Sequence, residues 1–124
     1  MLDYLKYIVL YKAAKESKDF EQFMSDPGHR ELIYVMPGNL IEPTLEAIYK
    51  IANEGFNGIL EVSHFDVAPL CRYYGNIPYL TAQEWKSGKS EMPQYISIIL
   101  GYVIMTDILR NWKRSDLEDE QLKY

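Results

Sequence analysis

The stretch ELIYVMPGNLIEPTLEAIYKIANEGFNGILEVSHFD, residues 31–66, decides the predicted fold of this 124-residue chain. Residues 31–36 are a short apolar run of the length of a strand, and the Pro-Gly-Asn at 37–39 ends it. Residues 43–54 have the apolar periodicity of a helix that opens with a proline. Residues 58–63 form a second apolar run. The stretch therefore reads as strand, helix, strand.

Two strands joined by a helix of this length normally lie parallel, with a right-handed crossover. We therefore predict an α/β (or α+β) fold: a small single domain with a short, mostly parallel sheet built on a β-α-β unit at about 31–63. Helices pack on this sheet, including a long apolar C-terminal helix at about 94–112. The globular domain is predicted to cover residues 1–114, with residues 115–124 as an acidic tail that is a frayed helix or disordered.

The remaining segments give shorter elements. Residues 2–15 fit a helical stripe and a strand face equally well, and the alanines near their end favour the helix. Residues 67–74 predict a helical turn. Residues 77–80 suit a short edge strand, because their proline cannot donate a ladder hydrogen bond. Residues 81–84, Thr-Ala-Gln-Glu, match a capping box that opens a short helix.

The charge of the chain is concentrated in residues 31–66. The formal net charge is −5, and this stretch holds six acids against the single base Lys50. A general nucleic-acid binder would carry a basic patch, so this charge argues against that class. Cys71 is the only cysteine, which favours a reducing, cytoplasmic setting. The longest uncharged run, residues 92–106, falls short of the ~20 residues that span a bilayer.

A parallel sheet would bring several polar side chains to one edge. Asn39 follows the first predicted strand and Ser63, His64 and Asp66 follow the second, so a ligand site is predicted there, with Asn39, His64 and Asp66 as binding residues. His64 is a candidate acid–base group because of its residue type, Asp66 could orient it or act as a base itself, and Ser63 and Cys71 are candidate nucleophiles if a base reaches them. The alternative is structural: hydrogen bonding for His64, and burial for Cys71 as a small apolar residue.

Motifs for other chemistry are missing. Neither a dinucleotide-binding GxGxxG nor a phosphate-binding GxxxxGK[ST] occurs. One cysteine and two distant histidines do not make a zinc site, and no EF-hand spacing is present. At 61–63, Glu-Val-Ser lacks the lysine that a metal-dependent nuclease requires. No metal and no cofactor is therefore expected.

Aromatic residues close to the acidic stretch suggest an interface, because tyrosine, tryptophan and arginine dominate protein–protein hot spots. The alternative is that they complete a small core. The predicted partner-binding residues are Glu42, Glu46, Arg72, Tyr73, Tyr74, Tyr79 and Trp85.

The composition favours a non-enzymatic function over an enzyme. We predict a small acidic protein-binding module, of the inhibitor or immunity type, that docks on a basic protein surface. The alternative is a small α/β ligand-binding domain or enzyme with its site at the strand edge. The apolar helix at 95–112 could in addition complete a homodimer.

Overall fold

The computed structural model describes the backbone of residues 2–122 and the side chains of residues 2–111. Every regular element in this part of the chain is a helix. In chain order the helices are α1 (Tyr4–Glu16), α2 (Phe20–Ser25), α3 (Pro27–Leu32), α4 (Gly38–Ser63), α5 (Val67–Tyr73), α6 (Tyr79–Ser87) and α7 (Gln94–Leu122). The predicted α/β fold with a parallel sheet is wrong, since no strand occurs in the described residues.

Three long helices, α1, α4 and α7, enclose the core. The Tyr11 hydroxyl of α1 lies 3.0 Å from the Ser97 hydroxyl of α7, and both side chains are buried. Asn53 of α4 donates its side-chain amide to the Ala14 carbonyl oxygen of α1, at 3.2 Å. Gly101 lets α7 lie close to α1, because a Cβ at this position would collide with the Tyr7 hydroxyl.

The first predicted strand, residues 31–36, is the end of α3 followed by turns. Asp26 caps α3 by accepting a hydrogen bond from the Gly28 N–H at 2.8 Å, and a proline occupies the first helical position. Ile33 and Met36 are buried, whereas the two residues between them are exposed. This spacing of three matches consecutive turns and does not match the alternation of a strand.

The second predicted strand, residues 58–63, is the last part of α4. Ile59 is fully buried while Glu61 is exposed, although a strand would turn both to the same face. Phe56 is buried as well, three residues before Ile59, which is helical spacing. The strand prediction is wrong because a short apolar run without its flanks does not distinguish a strand from a buried helix.

The smaller elements gave mixed outcomes. The preferred helix at 2–15 is confirmed by α1, which Asp3 caps through the N–H groups of Leu5 and Lys6. The helical turn at 67–74 is confirmed by α5, and the long C-terminal helix by α7. The edge strand at 77–80 is wrong, because α6 begins at Tyr79 behind Pro78. The short helix predicted to open at 81–84 is therefore present as α6, but the capping box does not begin it.

For the predicted acidic tail, residues 115–122 continue α7 as backbone helix. Residues 123–124, and the side chains of the whole tail, lie outside the described part of the chain. Among the residues that are described, no helix combines the length and the apolar character needed to cross a bilayer.

Candidate functional site: the acidic hairpin of helix α4

Helix α4 reverses direction at Gly55. This residue has φ 60° and ψ −133°, a combination that glycine adopts and other residues avoid. On the two sides of the break, Lys50 Nζ and Glu61 Oε1 lie 2.8 Å apart. A continuous helix would separate these residues by about 16 Å along its axis. Residues 38–54 and 56–63 are therefore two arms folded against each other, which we call the α4 hairpin.

Gly58 lets the two arms touch. A Cβ on Gly58 would fall onto the carbonyl oxygen of Lys50 in the opposite arm, with its carbonyl carbon only 2.8 Å away. Both atoms belong to the backbone and cannot rotate aside. The contact thus requires glycine, as in other close approaches of two helices. The hairpin depends on two glycines for different reasons: Gly55 for its backbone angles and Gly58 for space.

The first arm carries charge along one face. Glu42, Glu46, Lys50 and Glu54 follow each other at four-residue spacing, which places them on one side of a helix. Lys50 lies 3.7 Å from Glu46 and bridges across to Glu61. We call Glu42, Glu46, Lys50, Glu54 and Glu61 the acidic stripe. It has four carboxylates and one ammonium group, so its net charge is negative.

The ion pairs of the acidic stripe shift two pKa values. The hydrogen bond from Lys50 lowers the pKa of Glu61, and the positive charge of Lys50 adds to this effect. The same hydrogen bond raises the pKa of Lys50. Both groups therefore stay charged at neutral pH. A second exposed pair joins Arg30 to Glu42 at 2.9 Å, and exposed pairs of this kind add little stability.

A groove of about 380 Å³ lies beside the stripe, between the α4 hairpin and α7. We call it the hairpin groove. Glu46, Lys50 and Glu61 contribute polar groups to its lining. Its apolar lining comes from both arms and from α7: Leu40, Ala47, Val62, Met105, Ile108 and Leu109. A ligand for this groove would need an apolar surface bordered by cationic groups.

Two of the predicted ligand-binding residues line this groove. Asn39 lies near the start of the first arm, and His64 directly follows the second arm with φ 59°, in the left-handed region. The reversal at Gly55 brings them to one groove, whereas the sequence-based prediction relied on parallel strands. The predicted strand edge itself does not exist in the described residues.

The catalytic candidates Ser63 and Asp66 do not form a cluster that could carry out catalysis. The Ser63 hydroxyl donates to the Leu60 carbonyl oxygen and accepts from the Phe65 N–H, both at 3.3 Å. Asp66 is exposed at the N-cap position of α5. No hydrogen bond between His64 and Asp66 is found among the described side chains. The structure thus places Asn39 and His64 along the same groove. The Ser63 hydroxyl, in contrast, bonds only to backbone groups of neighbouring residues.

Cys71 lies inside α5 and is 4% exposed. Its burial raises the pKa of the thiol, so the protonated and unreactive form is favoured. Arg72 and Tyr79 line a cavity with it, yet burial is the sole cause of the pKa shift and no cationic effect opposes it. The thiol has the character of a small apolar core group.

The predicted aromatic cluster divides into separate groups. Tyr73 is 67% exposed and contacts Tyr74 and Phe65, with ring centroids 4.8 and 5.7 Å away. Tyr74 is half-buried and donates to Asp107 of α7 at 3.0 Å. Trp85 packs instead on Phe56, at 5.5 Å, next to the turn of the hairpin.

The predicted charged partner residues Glu42, Glu46 and Arg72 are exposed, as is Tyr79. The hydroxyl of Tyr79 is in addition hydrogen-bonded to the Gln83 amide at 2.7 Å. Glu42 and Glu46 belong to the acidic stripe, whereas Arg72 lies near the end of α5 and Tyr79 begins α6. The predicted partner-binding set therefore lies on more than one surface.

Glu54 and Glu61 were not predicted as members of the site. Glu54 follows Lys50 at four-residue spacing, so its place in the stripe could have been predicted from the sequence. Glu61 could not be placed there, because it was predicted to lie on a strand. The contribution of α7 to the groove was not predicted either, since no local pattern reveals it.

A larger cavity of about 620 Å³ lies at the turn of the hairpin, where Asn53, Asn57 and Trp85 mix polar and apolar surface. In the part of the chain with described side chains, no three His, Cys, Asp or Glu residues converge to hold a metal ion. Models of protein families, curated proteins and solved structures were all compared with this chain, and none matches it.

Proposed function

We propose that this chain is a protein-binding module that docks a basic, amphipathic segment of another protein on the α4 hairpin. The acidic stripe attracts the cationic side chains of the partner, and the hairpin groove receives its apolar side chains. An acidic surface beside an apolar groove would suit an inhibitor or immunity-type antagonist of a nucleic-acid-handling protein with a basic surface, and we propose that functional class for the chain. The lone cysteine agrees with action in the cytoplasm.

One observation supports the proposal above all others. The reversal at Gly55 brings Glu61 from the second arm to Lys50 of the first, so Glu46 and Glu61, from opposite arms, both line one groove with an apolar lining. Separate acidic groups on a surface are common, but carboxylates grouped beside an apolar groove suit an amphipathic ligand. Long-range attraction of this kind speeds association and disfavours acidic partners.

The test uses a synthetic helical peptide of leucine and lysine, with leucines on one face and lysines on the other. We expect saturable binding in fluorescence anisotropy, and we expect the affinity to fall as salt rises from low to physiological ionic strength. Binding that ignores ionic strength would contradict a role for the carboxylates.

Two triple variants with the same net charge distinguish an effect of the hairpin carboxylates from an effect of net charge alone. Glu42→Gln/Glu46→Gln/Glu61→Gln removes three carboxylates from the stripe. The control changes three exposed acids elsewhere, as Glu16→Gln/Glu21→Gln/Glu91→Gln. We expect the first set to weaken peptide binding about tenfold or more, at roughly 0.5 kcal/mol per exposed pair. The control variant should lose far less of its affinity for the peptide. Equal losses in both sets would overturn the proposed site.

A further inference from the structure

Helix α7 presents an apolar face that no described element covers. Tyr95, Ile99 and Val103 are 66%, 54% and 42% exposed. Their four-residue spacing aligns them as a ridge on the helix. We call these three residues the α7 ridge. They are at the centre of a run, residues 92–106, that contains no charged residue.

An apolar groove runs along one side of this ridge. It measures about 330 Å³, and Tyr74, Ile77, Ile96 and Leu100 line it together with the ridge residues. On α1, the exposed ring of Tyr4 contacts Tyr102 of α7, with ring centroids 4.9 Å apart. The surface therefore places a ridge directly beside a groove of matching apolar character.

We propose that this face binds a second copy of the same chain, with the two α7 helices antiparallel across a two-fold axis near Ile99. In such a pair Ile99 faces its own copy and Tyr95 faces Val103 of the partner, because they lie at equal distances from Ile99. The ridge of each copy then enters the groove of the other. A surface that contains both a ridge and its adjacent groove suits this symmetric arrangement.

Charge favours a second copy over a basic partner at this face. The ridge carries no acid that would attract cationic groups, while two chains of net charge −5 repel each other least where the surface carries no charge. The acidic hairpin packs on the other side of α7, through the buried residues Met105 and Leu109. A dimer formed through the ridge leaves both hairpin grooves open.

The exposed area fits a moderate dimer. The ridge and Tyr4 together expose on the order of 400 Å², taking about 200 Å² for a fully exposed large side chain. Patches of about 300–600 Å² on a monomer are often functional. A standard interface buries ~800 Å² per partner, which requires the groove walls as well. We therefore expect dissociation constants on the order of 1–100 µM.

Sedimentation equilibrium over a concentration series tests the dimer. The wild-type mass should rise from the 14.5 kDa of one chain toward twice that value. Ile99→Glu should raise the dissociation constant of the dimer at least tenfold. The matched control is Val35→Glu, at a residue that is 63% exposed and outside the ridge, and it should dimerise like the wild type. Circular dichroism must show equal helix content in all three proteins.

Cysteine cross-linking tests the symmetry. In a Cys71→Ala background, Ile99→Cys should form a disulfide dimer under mild oxidation, since a residue near the two-fold axis meets its own copy. Val35→Cys, which lies outside the ridge, should form no disulfide-linked dimer.

Salt dependence separates this inference from the proposed function. Added salt should strengthen the dimer, because it screens repulsion between like-charged chains, whereas it should weaken binding of the leucine–lysine peptide. A monomer at all concentrations up to about 100 µM, the upper end of the expected range, would overturn the inference. Loss of peptide binding in Ile99→Glu would also overturn it, since the ridge would then serve a partner protein.

Discussion

Lys50 Nζ lies 2.8 Å from Glu61 Oε1, although the two residues are eleven positions apart on opposite arms of α4. The contact exists because Gly55 reverses the helix and Gly58 lets its two arms touch. This relationship determines where the carboxylates of the acidic stretch lie, and it thereby creates the proposed binding surface.

Gly58→Ala should destabilise the fold, because the new Cβ would collide with the Lys50 carbonyl group. Overpacking against rigid atoms costs typically 1–3 kcal/mol, and we expect about 3 kcal/mol in urea denaturation. Gly38→Ala is the matched control, since nothing lies within 4 Å of its Cβ position. It should change the free energy of unfolding by less than about 1 kcal/mol. Equal effects at both positions would argue against a tight hairpin.

Tyr7 and Tyr11 should respond in opposite ways to the same substitution. The Tyr7 hydroxyl is buried and has no hydrogen-bond partner among the described residues, whereas the Tyr11 hydroxyl bonds to Ser97. An unsatisfied buried polar group costs about 1–3 kcal/mol. We therefore expect Tyr7→Phe to raise the free energy of unfolding by about 1 kcal/mol and Tyr11→Phe to lower it by a similar amount.

Thermal and urea unfolding measure this difference directly. A Tyr7→Phe variant that is markedly less stable than the wild type would show that the hydroxyl has a partner.

Stability should fall at alkaline pH because of two tyrosines. Burial raises the pKa of Tyr7, and burial together with the hydrogen bond to Asp107 raises the pKa of Tyr74. An unfolded tyrosine ionises near pH ~10. Below that pH both states keep the proton, so these groups add no pH dependence. Above it the unfolded state releases protons that the folded state retains, so stability is lost as pH rises.

Tyrosinate absorbance and urea unfolding check this prediction together. Tyr7 and Tyr74 should keep their protons above pH ~10 as long as the chain is folded. The double variant Tyr7→Phe/Tyr74→Phe should show a smaller loss of stability above pH ~10. Ionisation of all eleven tyrosines near pH ~10 in a folded chain would contradict it.

Parts of the fold could be predicted from the sequence where local signals were sufficient. The alanines of residues 2–15 correctly favoured a helix, and the apolar run after Pro93 correctly predicted α7. The helix predicted at residues 43–54 is also correct, since these residues belong to the first arm of α4, which ends at Gly55. The strand predicted after Gly55 was wrong, because a six-residue apolar run contains too little periodicity to separate a strand from a second helical arm.

Some residues of the candidate site could be predicted from the sequence, but their arrangement in space could not. Glu42 and Glu46 were named from their charge, and Asn39 and His64 from an expected sheet edge. Their actual neighbourhood depends on a helix reversal and on side chains of α7 more than forty residues further along, such as Met105. Contacts at that sequence distance arise from tertiary packing, which no window of neighbouring residues contains.

The most direct test of the hairpin is zero-length cross-linking of carboxylates to amines with a carbodiimide, followed by peptide mass spectrometry. Lys50 lies near Glu46 on its own arm and near Glu61 on the other. The structure predicts an intramolecular Lys50–Glu61 cross-link in the monomer fraction, with Lys50–Glu46 as an internal positive control. Recovery of Lys50–Glu46 without any Lys50–Glu61 product would mean that α4 is not folded back on itself, and the proposed binding surface would not exist.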